Sequence, residues 1–65
     1  MNAMTINVQY VLIPAFCMLT GYTEKAVRRK LEEGVWIEGK QYRKAPDGRI
    51  TMNLPEYYKW VEEKA

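Results

Sequence analysis

The chain has no histidine and a single cysteine, Cys17. Without a second thiol it forms no internal disulfide, and without histidine it has no plausible zinc site. The same two absences remove Ser–His, Cys–His and histidine–metal chemistry, so neither an enzyme nor a cofactor is expected. No apolar run approaches the roughly 20 residues that a membrane span requires. The start, Met1-Asn2-Ala3-Met4-Thr5, lacks the basic-then-apolar order of a secretory signal. A cytoplasmic chain that touches no membrane is the expectation. Met4 is an alternative start, with Met1 to Ala3 then foreign to the domain, and residues 1–7 are expected to be flexible.

What remains is one small domain spanning residues 1–65. A chain of this length buries only roughly 60% of its unfolded surface, so its core is thin and its large side chains matter. Two Trp, five Tyr, one Phe and four Met are available. Phe16, Trp36, Tyr57 and Trp60 are the expected core donors, at on the order of 150–250 Å² each. Self-association or a partner is the expected supplement.

The net charge is only +2, but it is unevenly spread. Residues 25–49 hold eight bases and four acids, a net of +4, whereas the rest holds two bases and four acids, a net of −2. A basic middle suggests one face made for an anionic partner.

Val8-Gln9-Tyr10-Val11-Leu12-Ile13 is β-branched and aromatic and predicts a short strand. Pro14 suits the first turn of a helix that Gly21 ends, with Phe16 and Leu19 on one face and Cys17 as a small core residue. Thr23 is a good N-cap for a second helix from Glu24 to Glu33, stopped by Gly34. On a wheel, Val27 and Leu31 face one way while Lys25, Arg28 and Arg29 lie opposite, with Glu32 interrupting the basic stripe. The apolar run Val35-Trp36-Ile37 and residues 38–45 lead into Pro46-Asp47-Gly48-Arg49, a strong turn signal, and Ile50-Thr51-Met52. These read as two antiparallel strands closing on Asp47-Gly48, with Lys40, Arg43, Lys44 and Arg49 along or near the tip and Tyr42 in cross-strand packing. Asn53, with Glu56 three residues on, predicts a capping box and a helix carrying Leu54, Tyr57, Tyr58 and Val61 at helical spacing.

Strand, helix, basic helix, basic hairpin, helix is a winged helix-turn-helix order, an α+β fold. A major groove roughly 12 Å wide admits one α-helix, and arginine pairs bidentately with guanine or with phosphate oxygens. A hairpin arginine suits a narrow minor groove, and Arg49 is the residue best placed for it.

The stretch from Leu19 to Leu31, with its Val27-Arg28-Arg29 centre, resembles the helix-turn-helix of phage excisionases and of MerR-type winged helices. Asp47-Gly48-Arg49 about twenty residues later resembles excisionases in particular. From Val8 to about Val61 the chain is similar to prophage-encoded excisionases, including Trp36-Ile37-Glu38-Gly39-Lys40 and the segment from Tyr42 to Gly48. The resemblance implies a recombination directionality factor, which is not an enzyme. Such a factor binds attachment-site repeats in double-stranded DNA, often with self-association head to tail, bends them, and helps a tyrosine integrase excise the prophage. By that likeness Arg28 and Arg29 enter the major groove and Arg49 the minor groove. Thr23, Lys25, Lys40, Arg43 and Lys44 complete the candidate DNA-binding set. Two other readings fit the same residues: a small transcriptional regulator, and a protein-binding adaptor that acts on a host factor through exposed aromatics.

Overall fold

The computed structural model describes residues 8–63, so the expectations for residues 1–7 lie outside them. Strand β1 (Tyr10–Leu12) leads into helix α1 (Ile13–Thr20), followed by α2 (Glu24–Glu32), β2 (Tyr42–Lys44), β3 (Ile50–Asn53) and α3 (Leu54–Glu62). The three strands form one antiparallel sheet in the order β1-β3-β2. Val11 and Tyr42 flank Met52 in the register. That row points into the core: Met52 is fully buried, and Val11 and Tyr42 pack against the buried cluster. The α+β class is as expected, and Tyr42 packs across the strand.

The entry to α1 differs from the sequence reading. The strand covers only Tyr10–Leu12, and Ile13 is the first residue of the helix rather than the last of the strand. A residue before proline prefers extended backbone. Here Ile13 is 3% exposed in the core, and that burial overrides the local preference. Pro14 sits in the first turn, where its missing N–H costs nothing. Gly21, at φ 88°, closes the helix by donating its N–H to the Cys17 carbonyl at 2.7 Å. Leu19 does not share the inward face of Phe16: it is 65% exposed while Phe16 is fully buried. At three residues apart the two are about 60° out of register on a helix, enough to turn one outward in so short an element. Cys17 is half-buried and packs against the core instead of lying within it.

Both ends of α2 are built from local chemistry. The Thr23 hydroxyl accepts the Ala26 N–H at 3.1 Å. At the other end Gly34 donates to the Leu31 carbonyl and Val35 to the Lys30 carbonyl, a Schellman closure in which glycine takes the left-handed position. The helix ends at Glu32, and Glu33 is its cap rather than its last turn.

Val35-Trp36-Ile37 is not part of a strand. The chain turns down after α2 so that Trp36 becomes fully buried, and pairing in the hairpin is confined to Tyr42–Lys44. Gln41 holds this loop: it is 4% exposed, its side-chain oxygen accepts the Ile37 N–H at 2.9 Å, and its carbonyl accepts the Asn53 N–H at 2.8 Å. The hairpin closes through Pro46-Asp47-Gly48. Gly48 donates to the Ala45 carbonyl, Ala45 donates to the Arg49 carbonyl, and the Asp47 carboxylate accepts the Arg49 N–H at 3.0 Å.

Asn53 ends β3 and caps α3, its side chain accepting the Glu56 N–H at 3.2 Å. The reciprocal half of a capping box is absent, because the Asn53 N–H goes to Gln41 and the Glu56 carboxylate pairs with Lys59 at 3.3 Å. The core is Ile13, Phe16, Val27, Trp36, Met52 and Leu54. Tyr57 and Trp60 pack on its rim rather than inside it, and Tyr58 and Val61 are more than half exposed. Trp36 lies edge-on to Phe16, Tyr22, Tyr57 and Trp60, with centroids 5.3–5.9 Å apart.

Candidate nucleic-acid interface

Val27 and Leu31 turn α2 inward, Val27 fully buried and Leu31 packed beside it, and this fixes where its cations go. Lys25, Arg28 and Arg29 are all exposed. They line one groove along the helix together with Glu24 and Glu32. Lys25 and Arg29 also border a second hollow with Thr23 and Ala26 at the start of the helix. Glu32 lies among the cations, as the wheel indicates.

Arg28 also faces the space between α2 and the hairpin. A cleft of about 380 Å³ is lined by Leu12, Ile13, Pro14, Arg28, Gly48, Arg49 and Ile50. Two arginines twenty-one positions apart in the chain thus border one open cleft with an apolar floor. Leu12, Ile13 and Pro14 of the β1–α1 junction line that floor, and the turn held by the Asp47 bond to the Arg49 N–H places Arg49 at the cleft. Glu24, one turn before Arg28, has its carboxylate 4.0 Å from the guanidinium, with both side chains about half exposed. The i,i+4 spacing of an acid before a base carries that signal in the sequence.

Other members of the expected set lie elsewhere. Lys40 is in the turn that returns the chain toward β2, with its N–H donated to the Ile37 carbonyl. Arg43 and Lys44 are exposed on β2, an edge strand, opposite Thr51 and Ile50. None of these three borders the clefts that hold Arg28 and Arg49. Thr23 serves α2 as its cap, so its hydroxyl is already engaged by Ala26.

Lys30 follows Arg28 and Arg29 directly in the chain but does not border their groove. The Lys30 ammonium lies 5.7 Å from the Tyr22 ring centroid, 5.8 Å from Trp36 and 5.9 Å from Trp60. A third hollow, between the α1–α2 turn and α3, is lined by Tyr22, Tyr57, Trp60, Val61 and Glu63. Burial pushes the Tyr57 phenol above its ordinary value, with the neighbouring Tyr22 adding to the shift. The Cys17 thiol is raised too, by burial and then by the Glu24 charge, which disfavours the reactive thiolate.

Among the described residues no helix is long and apolar enough to cross a membrane. No curated protein and no solved structure matches the chain. Residues 6–65 match the model of a family described as "Putative excisionase (DUF1233)". The match covers the α2 groove, the Arg28–Arg49 cleft and the helix beyond them. The chain belongs to this excisionase family, and its function is excision-related.

Proposed function

We propose that residues 1–65 form one winged helix-turn-helix domain that binds and bends attachment-site DNA and directs a tyrosine integrase toward prophage excision. In this reading α1 and α2 are the helix-turn-helix and the β2–β3 hairpin is the wing. The observation that carries it is the shared cleft of Arg28 and Arg49. A cationic helix flanked by a cationic hairpin suits a major groove beside a minor groove. Lys25, Arg28 and Arg29 enter the major groove, where arginine reads guanine edges or clamps phosphate. Arg49 enters the neighbouring minor groove. Lys40, Arg43 and Lys44, outside the clefts, add long-range attraction to the duplex without each holding a phosphate, and the Thr23 region abuts the strand at the start of α2. The chain works in the cytoplasm, where its DNA is.

Bending a 20–30 bp site costs on the order of 1–6 kcal/mol, more than one small module readily supplies. Several protomers on repeated sites, each adding phosphate contacts, supply it together. Tyr58 and Val61, exposed on α3 beside the aromatic hollow, leave an apolar surface for a protein contact such as the integrase.

A mobility shift with attachment-site DNA, a circular-permutation bending assay on the same fragment, and an integrase excision assay test this reading in turn. Retarded, bent DNA and excision that depends on the chain are expected. Binding and bending without any effect on excision would favour a transcriptional regulator. Failure to bind any duplex would refute the DNA reading and leave the adaptor.

A further inference from the structure

Lys30 ends the most basic run in the chain, Arg28-Arg29-Lys30, yet it does not border the groove that holds the other two. At 100° per residue it lies about 160° around the helix from Arg28 and about 140° from Lys25. It is half-buried, and its charge stands over three rings at once, each within 6 Å. Those rings come from three different parts of the chain: Tyr22 from the turn before α2, Trp36 from the loop after it, and Trp60 from α3. The backbone of the same residue reinforces the grip, because the Lys30 carbonyl accepts the N–H groups of both Val35 and Trp36, at 3.0 and 3.3 Å.

From this geometry we infer that Lys30 is a positioning residue for DNA binding: it touches no phosphate, and it sets the angle of α2 by tying the helix to the segments on either side of it and to α3. The inference rests on the DNA reading above. Rotation of α2 about its axis carries Arg28 toward or away from the cleft it shares with Arg49. A rigid α2 therefore presents a prearranged pair, and a loose one must be ordered on binding.

Lys30→Met keeps the unbranched stem and removes the charge, while Lys30→Arg keeps a cation over the rings. The test is fluorescence anisotropy of the full-length chain with a labelled attachment-site duplex, at several salt concentrations. Circular dichroism fixes a temperature at which every variant is folded. Lys30→Met is expected to bind on the order of threefold to tenfold more weakly with an unchanged dependence of log affinity on log salt, and Lys30→Arg is expected to restore the affinity. A slope shallower by about 0.9 in Lys30→Met would make Lys30 a phosphate ligand and overturn the inference. Unchanged affinity in folded Lys30→Met would reduce it to packing and overturn it too, as would failure of Lys30→Arg to rescue. If Lys30→Met does not fold, Lys30→Arg and Lys30→Gln carry the same comparison. A wild-type chain that binds no duplex would overturn the DNA reading itself, a result distinct from any of these.

Discussion

If α2 and the hairpin grip one duplex, the strength of that grip is set by counterions. Lys25, Arg28, Arg29 and Arg49 are the exposed cations bordering the connected clefts, with Arg28 common to the α2 groove and the hairpin cleft. Each phosphate neutralised contributes about −0.9 to the slope of log affinity against log salt, so four give a slope near −3.6. Between 50 and 200 mM salt the affinity then falls on the order of 150-fold per protomer. Arg28→Ala reduces the slope to about −2.7, and the loss over the same range shrinks to roughly 40-fold. Removing Arg49 as well brings the slope to about −1.8. Anisotropy titrations of a short duplex holding one site measure all three. Glu24→Gln is a useful control, since it frees Arg28 from its carboxylate neighbour without removing a cation. A wild-type slope shallower than about −1, or slopes that ignore Arg28 and Arg49, would refute the reasoning. A much steeper slope that drops when Lys40, Arg43 and Lys44 are neutralised would mean that the β2 edge, not the cleft, carries the charge.

Three further outcomes follow from the packing. Trp36→Ala removes the residue on which four other rings converge, at a cost of about 3–5 kcal/mol. In a chain of this size that lowers the melting temperature by roughly 12 °C or more, or abolishes cooperative unfolding, as followed by circular dichroism. Gly48→Ala meets no atom within 4 Å but forces a side chain to φ 90°, so it destabilises the hairpin turn by about 1–2 kcal/mol. Urea denaturation reads that loss, and DNA affinity falls with it because Arg49 loses its aim. The raised phenol of Tyr57 ties stability to alkaline pH. Its proton is held more tightly in the folded chain, so the stabilisation is complete below about pH 10 and is lost as pH climbs through the higher folded value. Thermal melts at pH 9 and pH 11 should differ more for the native chain than for Tyr57→Phe.

The parts of the fold that were legible in the sequence are those decided within a few residues. Thr23 and Asn53 cap because their side-chain oxygens reach an N–H three positions on. Gly21 and Gly34 close helices because they take positive φ, and Pro46-Asp47-Gly48 spells out its own turn. Local signals mislead where a distant partner decides the conformation. Ile13 joins the helix because the core pulls it in, and Trp36 leaves the apparent strand for the same reason. Leu19, Tyr58 and Val61 are apolar at helical spacing, yet no neighbouring layer covers them. The site divides in the same way. Lys25, Arg28 and Arg29 follow from the wheel once Val27 and Leu31 are placed inside. The cleft shared by Arg28 and Arg49 needs the sheet register and the β1–α1 junction, and although the wheel turns Lys30 away from Arg28, the ring cluster that receives it is gathered from three segments. Neither is written in any local window.

The central claim, that α2 and the hairpin lie in adjacent grooves of one duplex, is tested most directly by local DNA cleavage. An iron chelate attached at Glu32→Cys reports the α2 groove and one at Pro46→Cys, exposed in the same turn, reports the hairpin tip, each in a Cys17→Ala background, so that the candidate cations and the Asp47 bond to the Arg49 N–H are kept. The account predicts two cleavage tracks on the attachment site, one centred on a major groove and the other on the next minor groove. They should be offset by about half a helical turn, roughly 5 bp. Cleavage from only one position, or two tracks with no fixed offset, would contradict it.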